Sequence, residues 1–282
     1  MGSTETQRWD FKRVLHLAAL VVIGAWILWP LVIMLSTSLK SQAQVTLSTG
    51  SLIPNPVTWE NYSQIFKDAQ DPIGRWFFNS AVAVCCGTFL VLLVCSLAAY
   101  GLSRLYWPGR DKVFIVILGA TLIPGVTFIL PLFSEFAKAG LLNTYWPIIL
   151  VYPASAFGVF MLRQFYLGIT RELEEAAVID GAGKLRRWFQ IILPMTRTPL
   201  ITLAILTAVA IYNDFLWPLV AMQTKEMYTL TVGIAIVTSG AYVNNYGPLM
   251  AFSTVAAIPT IVLFIFLQRY FVGSEALSGV KG

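Results

Sequence analysis

Residues 77–102, FFNSAVAVCCGTFLVLLVCSLAAYGL, form a run of 26 residues without a charged side chain. An α-helix rises about 1.5 Å per residue, so about 20 apolar residues cross the roughly 30 Å hydrocarbon core of a bilayer. This run exceeds that length and contains no residue that must face water. It therefore predicts a helix that spans a membrane.

Five further apolar runs of similar length accompany this one. The chain of 282 residues is 57% hydrophobic and 12% charged, with a mean hydropathy of +0.72, whereas about 25% of the residues of an average soluble domain are charged. The core of a soluble domain of this size could not hide so much apolar surface. The sequence predicts an all-α polytopic membrane protein, a single domain over residues 1–282, with spans at about 14–35, 77–102, 113–133, 147–167, 199–222 and 248–268.

The positions of Lys and Arg predict the orientation, because positive charge is retained on the cytoplasmic side during insertion. With both termini cytoplasmic, fourteen of the nineteen basic residues fall on the cytoplasmic side of six spans. The five on the outside are Lys40, Lys67, Arg75, Lys138 and Lys225. The basic residues lie in short segments between apolar runs, so the net charge of +5 does not indicate a nucleic-acid partner.

The cytoplasmic loop at 169–198 predicts a short helix. Thr170 is a plausible N-cap, and three glutamates in the first turns favour the positive end of the helix dipole. Gly181 stands where a left-handed residue would end the helix. The alanines at 176 and 177 give a smooth face that can fit closely into a groove on another protein. A second helix at about 185–192 is expected to return the chain to the bilayer before Pro194.

The same loop resembles a known family. Its spacing is Glu175-Ala176-Ala177, three residues, Gly181, nine residues, Ile191, one residue, then Leu193-Pro194. This pattern resembles the EAA loop of the membrane subunits of binding-protein-dependent ABC importers. The wider string, which includes Asp180, is similar to the carbohydrate branch, and the chain resembles a maltose-type permease subunit over essentially its full length. Supporting matches are Asn79-Ser80 and the segment 212–219, YNDFLWPL.

The resemblance implies a mechanism. In that family the EAA helix is a coupling helix seated in a cleft of a cytoplasmic ATPase, so that ATP-driven closure of the ATPase dimer turns the membrane helices from inward-facing to outward-facing. The resemblance implies partners as well: a second homologous permease chain, two ABC ATPase subunits and an extracytoplasmic solute-binding protein, all at a prokaryotic inner membrane and in contact with its lipid. It assigns ATPase coupling to Glu175, Ala176, Ala177, Asp180 and Gly181, with Ile191, Leu193 and Pro194 holding the loop to the bundle.

The chain itself carries no phosphate-binding loop. That loop needs Gly-x4-Gly-Lys-Ser/Thr, whereas Gly183-Lys184 is followed by Leu185 and Val178 stands where the first glycine should be. We therefore expect no enzymatic activity, cofactor or metal in this chain, with ATP and Mg²⁺ bound by the partner ATPase.

Asp214 is the one charged residue clearly inside a predicted span, and intramembrane charges are candidates for functional sites. With Tyr212, Asn213 and Trp217 it offers hydrogen-bonding groups and an aromatic face that could hold a sugar. Two alternatives are open. The carboxylate could bond backbone freed by Pro218, or it could contact the partner permease. The family usually has Trp where this chain has Tyr212, a departure within the proposed substrate path.

The loop at 238–247 carries Tyr242, Asn244, Asn245 and Tyr246. The resemblance implies that this outer loop reaches the docked binding protein; the alternative is a belt of interfacial aromatic residues. The expected solute is a sugar or oligosaccharide, with glycerol-3-phosphate or another polyol derivative as the alternative. An ion-coupled secondary transporter would need a network of intramembrane charges. A membrane enzyme would need clustered His, Cys or carboxylates, and the chain has one His.

Overall fold

A computed structural model describes residues 4–47, 51–67, 71–240 and 245–278, with side chains described at 12–46, 51–67, 71–240 and 245–265. Each regular element in these ranges is a helix. In chain order the α-helices are α1 (Thr4–Ser38), α2 (Gln42–Leu47), α3 (Glu60–Lys67), α4 (Ile73–Ser103), α5 (Arg110–Ala120), α6 (Ile129–Lys138), α7 (Pro147–Leu150), α8 (Ala156–Leu167), α9 (Glu172–Ile179), α10 (Lys184–Arg187), α11 (Leu193–Met195), α12 (Arg197–Asn213), α13 (Leu216–Ala221), α14 (Leu230–Ser239) and α15 (Tyr246–Ser278). Gly125–Phe128 and Lys225–Met227 are 3₁₀ turns, and Trp188–Ile192 is a π-helical turn.

Several of these helices are apolar and long enough to cross a bilayer, which confirms a helical, polytopic membrane protein. Three are continuous: Lys12–Ser38, Ile73–Ser103 and Tyr246–Ile265. Two more candidates are bent pairs, with a 94° bend between Arg110–Ala120 and Gly125–Lys138 and an 82° bend between Lys184–Met195 and Arg197–Asn213.

Three predicted spans are interrupted rather than continuous. The span at 113–133 contains the 94° bend, which coincides with Pro124. The span at 147–167 divides into α7 and α8 around a turn that contains Pro153. The span at 199–222 divides into α12 and α13 at Asp214. By contrast, Pro30 and Pro259 lie inside unbroken helices, so proline alone does not decide where a helix ends.

The described residues fall into two compact units, one within 1–70 and 236–257 and the other within 71–235 and 258–282. In the first unit, the buried Asn61 of α3 donates from Nδ2 to the carbonyls of Ser38 and Lys40, both at 2.8 Å. This amide fixes the chain where it leaves α1. The single permease domain over residues 1–282 remains a prediction.

In the second unit, α4 packs against α8 and α12. A buried apolar cluster joins these helices and includes Val91, Cys95, Leu162, Ile192 and Leu203. The helices approach closely because Gly158 has no side chain: a Cβ there would lie 2.8 Å from the Cys95 Sγ. Small residues at helix contacts are a common device of membrane bundles, since they let backbones approach.

The Asn79-Ser80 pair of α4 holds the segment that leads into α14. The Asn79 side chain is fully buried and donates from Nδ2 to the carbonyls of Glu226 at 2.8 Å and Tyr228 at 2.9 Å. Its Oδ1 accepts from the Tyr145 hydroxyl at 2.7 Å, and the Ser80 Oγ accepts from the Leu230 N–H at 2.9 Å. Asn79 and Ser80 therefore supply hydrogen-bond partners to an irregular stretch of backbone that would otherwise lack them.

Candidate functional site

Helix α9 ends as the sequence predicts. Gly181 has a φ of 78°, the Gly181 N–H donates to the Val178 carbonyl at 3.0 Å, and the Ala182 N–H donates to the Ala177 carbonyl at 2.8 Å. This pair of bonds is the Schellman pattern, which satisfies the last carbonyls of a helix. The predicted start is wrong: the residue at the N-cap is Arg171, without a side-chain cap, and Thr170 lies outside the helix.

The predicted coupling residues lie mostly on the open side of α9. Glu175, Ala176 and Asp180 are exposed, and Ala177 is half-buried. Two apolar neighbours are exposed beside them, Val178 at 50% and Ile179 at 87%. A helix that displays small and apolar side chains away from its own bundle has the surface expected of one that docks into a groove.

The opposite side of α9 is fastened by Glu174. Its side chain is 8% exposed and forms an ion pair with Arg104, whose side chain is 4% exposed, at the end of α4. Sequence reasoning placed Glu174 among three glutamates that favour the helix dipole and did not single it out. The sequence does not show which of the three glutamates faces inward, because that depends on where α4 ends.

The return segment differs from its predicted form. The helix expected at 185–192 consists of α10, the π-helical turn Trp188–Ile192 and α11, and it continues through Pro194 to Met195. Ile191 and Leu193 are half-buried and Pro194 is exposed, whereas Ile192 is fully buried in the cluster between the helices. Packing against the bundle therefore centres on Ile192, a residue that the family motif leaves unspecified.

A second candidate site surrounds the break between α12 and α13. The Asp214 Oδ2 accepts from the Tyr152 hydroxyl at 2.9 Å, and its Oδ1 lies 3.4 Å from the Trp217 backbone N. The carboxylate thus accepts from one hydroxyl and from one backbone N–H in the first turn of α13, whose N-cap residue is Phe215. A cavity of about 260 Å³ adjoins the break, lined by Gly125, Val126, Ile129, Leu132, Val151, Tyr152, Asp214, Leu216 and Trp217.

The four residues predicted for the substrate path do not all meet at this cavity. Asp214 and Trp217 line it. Asn213 is exposed and donates from Nδ2 to the Val209 carbonyl of its own helix at 2.9 Å, and Tyr212 is buried. The described lining includes neither of them. Tyr152, which sequence reasoning missed, supplies the hydroxyl; it lies 62 residues from its partner, so no local pattern joins them.

Of the residues predicted to contact the binding protein, Tyr242 and Asn244 lie outside the described residues. Asn245 is half-buried and Tyr246 is exposed. In the first unit, Tyr246 lines a cavity of about 520 Å³ together with Thr37, Lys40 and Met250. An exposed aromatic ring there is compatible with a contact surface and with an interfacial belt.

Known proteins resemble this chain over most of its length. The arabinooligosaccharides transport system permease protein AraQ of Halalkalibacterium halodurans is 36% identical over 256 residues, 90% of this chain and 91% of the relative. The sn-glycerol-3-phosphate transport system permease protein UgpE of Yersinia pestis is 33% identical over 260 residues, 90% of this chain and 92% of the relative. A chain in the crystal structure of a bacterial ABC transporter involved in the import of alginate superimposes with a TM-score of 0.82 at 22% identity, covering 96% of this chain and 99% of that chain.

The family model described as "Binding-protein-dependent transport system inner membrane component" matches residues 110–274. That range contains both candidate sites, helix α9 and the break at Asp214. The likeness to the curated relative at 36% identity covers 256 residues, more than the family model matches. The chain therefore belongs to the family of binding-protein-dependent transport system inner membrane components.

Proposed function

We propose that this permease subunit works with a second, homologous permease chain, two ABC ATPase subunits and an extracytoplasmic solute-binding protein to import a sugar or oligosaccharide by alternating access. The observation that carries the proposal is α9, a helix fastened by one buried glutamate that presents Glu175, Ala176 and Asp180 outward. ATP and Mg²⁺ bind the partner ATPase in this proposal, and closure of the ATPase dimer moves α9.

The topology proposed is six spans with both termini cytoplasmic. Support comes from the two ends of α4, whose 31 residues cover about 45 Å. At its N-terminal end, Lys225 pairs with Asp71 at 2.9 Å. At its C-terminal end lie the pair of Arg104 with Glu174 and the pair of Arg163 with Asp111 at 2.9 Å. More basic side chains gather at the second end, as the positive-inside rule expects for a cytoplasmic face.

Substitutions in the turn that ends α9 test whether this helix docks onto an ATPase. Gly181 holds a positive φ that a β-branched residue adopts only with strain. Gly183, two residues away, has a φ of −66° and open space around the position of a Cβ. We expect Gly181→Val to lose the ATPase during purification in mild detergent, whereas Gly183→Val keeps it. Retention of the ATPase by both variants, or its absence from the unaltered chain, would overturn the coupling assignment.

The chemistry of the cavity favours a neutral, hydroxyl-rich solute. Its described lining includes Asp214, Tyr152 and Trp217 beside six apolar residues or glycine, with no Lys or Arg. Carboxylates accept hydrogen bonds from sugar hydroxyls, and an aromatic face suits the apolar face of a sugar ring. A phosphate would lack the Arg or Lys partner that such groups usually bind. On this ground we favour a sugar over glycerol-3-phosphate.

The choice of solute is tested by uptake into proteoliposomes that contain the complete complex and its binding protein. We expect labelled arabino-oligosaccharides to be taken up and labelled glycerol-3-phosphate not. Asp214→Asn should lower sugar uptake, since the neutral amide is a weaker acceptor, while Asn213→Ala should leave it near the unaltered rate. Uptake of glycerol-3-phosphate alone would replace the sugar assignment with the polyol phosphate.

The binding-protein contact is proposed for the loop that carries Tyr242, Asn244, Asn245 and Tyr246. Support comes from the exposure of Tyr246 and from the family of the chain, whose members work with a binding protein. Cross-linking from a photoreactive amino acid at position 246 should capture the binding protein. The same residue placed at 172, on α9, should capture the ATPase and not the binding protein.

A further inference from the structure

Glu174 lies where three helices meet. It belongs to α9, its Oε1 pairs with the Arg104 Nε at the end of α4, and its Oε2 lies 3.8 Å from the Arg187 Nη1 of α10. The Tyr100 hydroxyl is 3.5 Å from the same Oε2. No other acidic residue of α9 is buried, since Glu172 and Glu175 are both exposed. The helix that presents the coupling surface is thus fastened to the bundle through one carboxylate.

The Arg104 side of this contact is firm. Besides its bond to Glu174, the guanidinium donates from Nη1 to the carbonyls of Tyr166 at 3.1 Å and Ile169 at 2.9 Å, and from Nη2 to the carbonyl of Thr170 at 3.3 Å. These carbonyls belong to the end of α8 and the connection into α9. A planar guanidinium with several acceptors holds one geometry, because its donors are fixed relative to one another.

The Arg187 side of the contact is loose by comparison. A separation of 3.8 Å is too long for a hydrogen bond, although the charges still attract. The Arg187 Nε is buried and has no hydrogen-bond partner among the described residues. Helix α10 therefore meets the carboxylate by attraction alone, while α4 and the end of α8 are bonded to it directly or through Arg104.

We propose that Glu174 is a positioning residue that makes α9 and the Arg104 end of α4 move as one body, so that displacement of α9 by the ATPase is passed to α4. This role rests on the proposed function and deepens it, since it concerns the inward side of the coupling helix rather than the docking face. Attraction to Arg187 lets α10 follow that motion without being locked to it. Loss of the carboxylate leaves the docking face in place but frees α9 from α4.

The test uses the complete complex with spin labels at positions 106 and 172, in a chain whose three native cysteines are replaced by alanine. Both positions are exposed; Tyr106 lies three residues after the end of α4, and Glu172 is on α9. In the unaltered background we expect the distance between labels to be narrow and the same with and without AMP-PNP and Mg²⁺. In Glu174→Gln the distribution should broaden and shift on adding the nucleotide. Asp111→Asn is the matched control, because it breaks a pair to α8 that does not involve α9.

The functional readout is MgATP hydrolysis, measured in unlabelled complexes with and without the co-purified binding protein. We expect Glu174→Gln to lower the stimulation by the binding protein roughly tenfold, the range typical of coupling between sites, at an unchanged yield of complex. Glu174→Asp should recover part of it, and Asp111→Asn should match the unaltered chain. A lower yield with normal stimulation in what remains would mean a structural role only and overturn the proposal.

Two other outcomes separate this inference from the proposed function. If Glu174→Gln keeps both the narrow distance and the stimulation while the ATPase is bound, the positioning role is wrong and the importer assignment stands. If the unaltered chain purifies without an ATPase, the importer assignment fails and the positioning role falls with it.

Discussion

At the scale of single residues, polar side chains in the second unit hold backbone that has no helical partner. Asn79 is the clearest case, since one amide bonds two carbonyls and accepts one hydroxyl. Asp214 does similar work from the broken end of a helix. In an apolar surrounding each unmet polar group is costly. These residues are therefore expected to contribute more to stability than exposed residues of the same type.

We expect Asn79→Ala to destabilise the protein, because the carbonyls of Glu226 and Tyr228 and the hydroxyl of Tyr145 lose their partner. The free energy of unfolding should fall by roughly 1–3 kcal/mol for each buried group left unpaired, and by less where water takes the place of the lost partner. The measurement is the thermal unfolding midpoint of the purified chain in one detergent. Asn213→Ala is the control, since that exposed amide bonds the Val209 carbonyl of its own helix. Equal midpoints for the two variants would contradict the role given to Asn79.

At the scale of helices, the contact between α4 and α8 depends on a missing side chain. A Cβ at Gly158 would lie 2.8 Å from the Cys95 Sγ and 3.3 Å from the Leu203 Cδ1. We expect Gly158→Ala to cost about 1–3 kcal/mol through overpacking. Adding Cys95→Ala removes the closest atom and should recover part of the loss, as the coupling of neighbouring sites predicts.

The control for that prediction is Gly101→Ala on α4, where a Cβ meets open space. Alanine is the better helix former, so this variant should be neutral or gain up to about 1 kcal/mol. The measurement compares the unfolding midpoints of the unaltered chain, Gly158→Ala, the double variant and Gly101→Ala. A double variant no better than Gly158→Ala alone would show that the sulfur is not the obstacle.

Helix existence could be read from the sequence better than helix continuity. Hydrophobic length predicted α4, and the position of Gly181 predicted the turn that ends α9, because both depend on local residues. The helix breaks at 151–155 and at Asp214 could not be predicted from the sequence, because Pro30 and Pro259 lie in similar apolar runs that remain helical. Whether a freed carbonyl finds another partner depends on distant residues such as Tyr152. For the same reason, the sequence does not show that Glu174 rather than Glu175 faces the bundle.

At the scale of the whole molecule, the number of spans hinges on the segment with the 94° bend. If Arg110–Ala120 and Gly125–Lys138 together cross the bilayer, Lys112 and Lys138 lie on opposite sides. If the segment turns back instead, both lie on the same side. The pair of Arg104 with Glu174 places α9 on the same side as the end of α4, so the bent pair and the segment 147–167 either both cross the bilayer or both turn back.

We expect cysteine at position 138 to react with a membrane-impermeant maleimide in right-side-out vesicles, and cysteines at 112 and 184 to react only after the vesicles are opened. All three lysines are exposed, so a failure to react reports the side of the membrane rather than burial. The background is the chain without its three native cysteines, and opened vesicles should label all positions equally. Reaction at 112 together with 138 in sealed vesicles would make the bent pair a re-entrant segment. Six spans would then require another crossing elsewhere in the chain. In addition, either position 184 would lie on the opposite side of the membrane, or the segments 147–150 and 156–167 would not cross the bilayer.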